Sequence, residues 1–183
     1  MNDQLAPSTR PSLRSSVAER NQRVVFLLLV NIGLAVLWHV FLSAWGAVDY
    51  LIGLVIGASA LTIYEREYGR RIVALISFVF YVLGQIVVSN INVARVVLQR
   101  NPKIYPAIIG VPLTADGNVE VIILATVLTL TPGTVSVDLR EDEHGQRTLY
   151  VHDFVLQDPD TFRHKIKDSF ERRLLLVTRG EAP

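Results

Sequence analysis

The stretch that decides the fold is Val24–Val48, VVFLLLVNIGLAVLWHVFLSAWGAV, which contains no Asp, Glu, Lys or Arg. A bilayer core about 30 Å thick is crossed by roughly 20 apolar residues in a helix, and this run exceeds that length. Trp38 and Trp45, toward its far end, suit the aromatic belt of a membrane–water boundary. His39 is the one ordinarily titratable side chain within it. Ionisable groups inside a membrane commonly mark ion or proton paths, which makes His39 a candidate relay. A neutral histidine at the interface, beside Trp38, is the simpler reading.

The preceding segment, residues 1–23, is a polar tail carrying Pro7, Pro11, Arg10, Arg14, Arg20 and Arg23. A secretory signal peptide is not expected here, because the apolar run is too long for an h-region and no Ala-x-Ala pattern follows it. On the other side, Asp49 marks a short turn, and a second uncharged run follows from Tyr50 to Tyr64. At about 1.5 Å per residue it barely crosses a bilayer. Gly53 and Gly57 form a small-xxx-small pair that Ala60 continues. Such a face admits a close helix neighbour, and both the first helix and another subunit fit that description.

Charge returns at Glu65, Arg66, Glu67, Arg70 and Arg71. Basic residues thus flank the helix pair on one side only, and the positive-inside rule puts the N-terminus and this loop in the cytoplasm. A third apolar run, Ile72 to Val88, is long enough to span. Polar residues nevertheless recur at Ser77, Tyr81, Gln85, Ser89, Asn92, Arg95 and Gln99, one stripe on a helix running on to about Gln99. A spanning helix and an amphipathic helix on the membrane surface both fit. The first would leave the rest of the chain outside the cytoplasm, the second inside.

Residues 24–101 therefore read as the membrane part, with two or three hydrophobic helices, and residues 102–183 as a small soluble α+β domain. Pro102, Pro106 and Pro112 predict an extended segment, with Lys103 to Leu113 as an edge strand tolerant of proline. The length of Val121–Leu130 suggests helix, while its β-branched content leaves strand open. Thr131-Pro132-Gly133-Thr134 stops it. Thr134 to Leu139 alternates as a strand, with Val135, Val137 and Leu139 on one face. A polar link, Arg140 to Arg147, leads to a second strand over Thr148–Phe154, and the two form a hairpin. Asp158 as N-cap and Pro159 in the first turn open a last helix, along which Phe162, Ile166, Phe170 and Leu174 recur every fourth residue. The order is β-α-β-β-α. At roughly 80 residues such a layer is marginal alone, and support from the membrane helices or a partner is expected.

Composition narrows the functions. Half of the 183 residues are hydrophobic and 19% are charged, and the mean hydropathy is positive. The formal net charge is +1, which gives no footprint for nucleic acid. The absence of cysteine removes disulfides, thiolate metal sites and cysteine nucleophiles. There is no phosphate-binding glycine loop, HExxH or G-x-S-x-G motif. Asp138, Glu141, Asp142, Glu143, His144, His152 and Asp153 could ligate a metal, but most lie in or beside the hairpin link, without a recognised ligand spacing. An ordinary solvated turn accounts for them. The first two apolar runs lack the charged groups that a self-sufficient ion transporter places there, which argues for a supporting role.

The distinctive local string is Leu128-Thr129-Leu130-Thr131-Pro132-Gly133-Thr134. Pro132 ends the preceding element, Gly133 can supply a positive φ, and the threonines can hydrogen-bond exposed backbone. The ordinary reading is a tight turn into a strand, with a docking surface as the alternative. The longer string Ala125 to Asp138, ATVLTLTPGTVSVD, followed by Leu149-Tyr150-Val151-His152, closely resembles the E subunits of the Mrp-type multisubunit cation/proton antiporters. The stretch Ser89 to Leu98, SNINVARVVL, is also similar to that family. The resemblance covers roughly Val24 to Val177, and TLTPGT is its specific part.

The resemblance implies a small accessory subunit of a large antiporter in the bacterial cell membrane, exchanging sodium, or potassium in the related Pha-type systems, for protons. The main ion path would belong to larger subunits, and the C-terminal domain would face the cytoplasm. No enzymatic activity, cofactor or metal is expected. Partners would be the other antiporter subunits and the lipid bilayer. Candidate subunit-contact residues are Gly53, Gly57, Asn90, Asn92, Arg95, Thr129, Thr131, Pro132, Gly133 and Thr134. A stand-alone ion transporter using His39, and a membrane-anchored ligand-binding or sensor protein, are the alternatives.

Overall fold

The computed structural model of the chain describes residues 13–41, 46–102, 104–155 and 158–180. It divides into two compact units, one ending at Gly69 and the other starting at Arg70. Trp45 and Lys103, which entered the reading of the sequence, lie outside the described residues.

The first unit is a helical hairpin of α1 (Leu13–Phe41) and α2 (Ala47–Tyr64), followed by the first turn of α3 (Arg66–Val97). Helix α1 begins well before the uncharged run. The two helices are antiparallel, because Arg23 lies 3.7 Å from Glu65 while Asn31 faces Gly57 and Trp38 faces Gly53. Val25, Phe26, Leu29 and Leu37 on α1, and Leu51 and Val55 on α2, are exposed. A helix apolar on its outer faces is at home in lipid. Helices α1, α2 and α3 are all long and apolar enough to cross a membrane.

The second unit combines the remainder of α3 with an α+β layer. Its elements are β1 (Ala107–Pro112), α4 (Asn118–Leu130), β2 (Thr134–Glu141), β3 (Arg147–Asp153), α5 (Pro159–Lys165), a π-helical turn (Ile166–Glu171) and α6 (Arg172–Arg179). The sheet order is β1-β3-β2, antiparallel throughout. Strand β1 is an edge, where Pro112 at its end is tolerated, but it is shorter than the expected Lys103–Leu113. Val111, Leu124, Leu149, Val151, Ile166 and Leu174 are almost fully buried, and Phe78 and Val82 of α3 join the same core. The support that an 80-residue layer needs comes from its own third helix.

Two local features differ from simple periodicity. Strand β2 skips a residue: Ser136 pairs with Val151 but Asp138 pairs with Tyr150, leaving Val137 as a bulge. Alternation predicts Val135, Val137 and Leu139 on one face. Past the bulge, Leu139 pairs with Leu149 while Val135 pairs with His152, three residues apart on β3 and so on opposite faces. In the last helix, apolar residues spaced by four would drift about 40° per step at 100° per residue. The π-helical turn between α5 and α6 takes more residues per turn and brings the stripe back, so that Ile166, Phe170 and Leu174 are all buried.

Candidate subunit-contact site

The TLTPGT string is a helix stop built from hydroxyls. A helix leaves its last carbonyls without amide partners, and here the threonines meet them. Leu128 O lies 2.7 Å from Thr131 Oγ1 and 2.6 Å from Thr134 Oγ1, and the two hydroxyls are 2.6 Å apart. Thr129 Oγ1 donates to Ala125 O at 2.9 Å and accepts from Ser136 N at 3.2 Å. The Ser136 hydroxyl adds a second bond to Ala125 O, at 3.0 Å. Pro132 cannot continue the helix, and Gly133 turns the chain at φ 95°. The Gly133 carbonyl then accepts from Phe154 N at 2.8 Å, which pins the turn to the end of β3.

This turn forms one wall of a cleft of about 560 Å³ within the second unit. Thr131, Pro132, Gly133 and Thr134 line it on one side, and Asn92 and Arg95 of α3 on another. Apolar floor comes from Leu128, Ile166 and Phe170, and charge from Arg95, Lys165, Asp153 and Asp158. Asp158 is held by its own turn, accepting from Thr161 N at 2.8 Å and from the Thr161 hydroxyl at 2.6 Å. These bonds, the hydroxyl first, lower its pKa. An apolar floor with a rim of both charge signs suits a protein segment better than a compact ion.

The other candidates lie elsewhere. Asn90 is exposed on α3 and its amide donates to Ile86 O at 2.8 Å. Gly53 and Gly57, candidates for contact with another subunit, are covered by α1 instead. A Cβ on Gly53 would press on the Trp38 indole, and one on Gly57 would clash with the Asn31 amide. His39 is half-buried and meets Tyr50 edge-on, with ring centroids 5.8 Å apart. Three of the acidic residues around the hairpin link are occupied with it. Asp138 pairs with Arg140 at 2.9 Å, Glu141 with Arg147 at 3.0 Å, and Asp142 accepts from the amides of His144 and Gln146.

Sequence reasoning passed over the polar residues that lock the two units internally. Asn31, 3% exposed, donates to the Tyr68 hydroxyl at 3.1 Å. Glu171, 2% exposed, accepts from Thr114 N and Ala115 N at 2.5 and 2.7 Å. Glu120 accepts from Thr178 Oγ1 at 2.6 Å and from Arg179 Nε at 3.0 Å, and Arg179 also pairs with Asp116. The Arg71 guanidinium donates to Thr178 O at 2.9 Å, at the C-terminal end of α6 where a cation is favoured. One signal was available: Glu171 directly follows Phe170 of the apolar stripe, and a carboxylate drawn beside a buried face must find donors.

Comparison with known proteins agrees with this architecture. The chain belongs to the Na+/H+ ion antiporter subunit family MNHE, whose family model matches residues 31–177. The Na+/H+ antiporter E subunit of Alkalihalophilus pseudofirmus is 34% identical over 161 residues, spanning 85% of this chain and 100% of that one. Its counterpart in Bacillus subtilis, also named as the E subunit of a Na+/H+ antiporter, is 26% identical over the same length and coverage. A chain of the membrane-bound sulfane sulfur reductase, an archaeal respiratory membrane complex, shares the fold with a TM-score of 0.51 at 23% identity, over 85% of this chain and 98% of that one. With its apolar helices and this family, the chain is a multi-pass membrane protein of bacterial type.

Proposed function

We propose that the chain is a non-catalytic accessory subunit of a multisubunit monovalent cation/proton antiporter, and that it supports assembly or stability instead of forming the main ion path. The observation that carries this reading is the make-up of the first helical pair. Val24–Val48 and Tyr50–Tyr64 contain no Asp, Glu, Lys or Arg, whereas ion pathways are built around such groups. The relatives matched over their full length are named as subunits of Na+/H+ antiporters, which favours sodium as the exchanged cation. His39 is assigned to packing beside Tyr50, and His39→Ala is expected to leave transport by the whole assembly unchanged.

The cleft bounded by Asn92, Arg95 and Thr131–Thr134 is the proposed subunit contact. Thr129 shapes it from behind through Ser136, and Asn90 lies just over one turn before Arg95 on an exposed part of α3. The C-terminal domain is assigned to the cytoplasm, on the side of Arg20, Arg23, Arg66 and Arg70. The test is purification through a C-terminal tag in a gentle detergent, followed by mass spectrometry. Large polytopic proteins in fixed proportion are expected, and their loss on substituting Arg95 and Thr134 together would locate the contact. Recovery of a monomer or homo-oligomer would overturn the assignment.

A further inference from the structure

The two walls of the cleft differ in chemistry. Along α3, Gln85, Ser89 and Asn92 line it at spacings of four and three, one face of a helix. Gln85 and Ser89 are half-buried, and none of the three side chains has a hydrogen-bond partner among the described residues. Polar groups drawn from water without partners cost stability until a partner arrives. The facing wall is apolar. Leu128 comes from α4, and Phe162, Ile166 and Phe170 from the last helical segment. Ile166 and Phe170 belong to the π-helical turn, a device often found at functional positions. It starts directly after Lys165, which lines the same cleft.

Charge narrows what fits there. The carboxylates of the cleft are already answered within the chain. Asp153 accepts from Val155 N at 3.2 Å. Asp158 accepts from Thr161, caps the positive end of α5, and has the Arg163 charge acting on it. The cations are not: Arg95 and Lys165 are exposed and form no ion pair or hydrogen bond among the described residues. Complementarity therefore calls for an anionic group on the occupant. The polar wall favours a polypeptide, because side-chain amides and a hydroxyl can serve both the N–H and the C=O of a backbone, whereas a phospholipid offers that wall no amide donor. From Gln85 to Val96 the wall is about 17 Å long, the length of about five residues of extended chain.

We propose that the cleft receives an extended acidic segment of a partner subunit, with carboxylates paired to Arg95 and Lys165, backbone groups on Gln85, Ser89 and Asn92, and apolar side chains on Ile166 and Phe170. The proposal rests on the subunit reading above and adds the chemistry of the partner.

A zero-length carbodiimide joins an amine only to a carboxylate in contact with it, so it reads such a pair directly. The tagged full chain would be treated in native membranes and purified in a gentle detergent, and its cross-linked peptides sequenced by mass spectrometry. Lys165 is expected to be joined to an Asp or Glu of another subunit. Lys167, which lines the separate cavity beside Pro112 and Gly145, is expected to lack that product. Lys165→Arg should abolish the product while the other subunits still co-purify, and Arg95→Glu should lower its yield roughly tenfold through like-charge repulsion. An intact complex in which Lys165 is joined only within its own chain, or in which the product is indifferent to Arg95→Glu, would overturn the proposal. So would anionic phospholipid that co-purifies and is lost on Arg95→Glu without any such product, because the cleft would then hold a lipid headgroup. A chain recovered without other subunits would instead remove the subunit reading itself, and the proposal with it.

Discussion

Glu120 shows how one carboxylate holds the second unit together. Burial by itself would raise its pKa, but the hydrogen bonds from Arg179 and Thr178 and the arginine charge outweigh burial and lower it. A folded-state pKa below the unfolded one gives stability that is complete above the unfolded value and lost as pH falls through the folded one. The domain is therefore expected to lose stability on acidification below the ordinary carboxylate range, and Glu120→Gln to flatten that part of the pH profile. Glu120→Ala removes the anion from beside Arg179 and is expected to cost about 2 kcal/mol, read as a lower thermal midpoint of the full chain in detergent. Gly133 is the second decisive residue. Its φ of 95° is strained for any residue with a Cβ, so Gly133→Ala is expected to cost roughly 1 to 2 kcal/mol.

At the level of elements, α3 is the one whose packing the sequence left most open. Its periodicity is equally that of a packed spanning helix and of a surface helix. Phe78 and Phe80 are two residues apart and equally apolar, yet Phe78 is 6% and Phe80 69% exposed. Phe78→Ala opens a cavity in the core and is expected to cost about 3 to 5 kcal/mol, whereas Phe80→Ala should stay within about 0.5 kcal/mol in detergent. Comparable losses at both positions would mean that the open face is covered within the chain. The β2 bulge makes a related point, since one extra residue sends Val135 and Leu139 to opposite faces of the sheet.

For the whole molecule, the side on which the domain sits is the consequential property. Glu143 lies at the exposed tip of the hairpin link, where a thiol disturbs nothing. Glu143→Cys is expected to resist an impermeant thiol reagent in intact cells and to react once the membrane is opened. Labelling from outside would place the domain across the membrane from the arginine-rich tail and contradict the positive-inside assignment.

What the sequence by itself determined was whatever depends on solvent and on the local backbone. The uncharged runs marked helices made for lipid, the threonine–proline–glycine string marked the end of one element and the start of a strand, Asp158-Pro159 marked a helix start, and the β-α-β-β-α order followed from spacing. Only the tertiary structure decided which surfaces face each other. Gly53 and Gly57 turn to α1 because Trp38 and Asn31 fill the space a Cβ would need. Asn92 and Arg95 come beside Thr131–Thr134 because Phe78 and Val82 dock α3 into the domain core. Periodicity tells which residues share a face, but the neighbour that covers the face is chosen by contacts between residues far apart in the chain, and no local pattern records them.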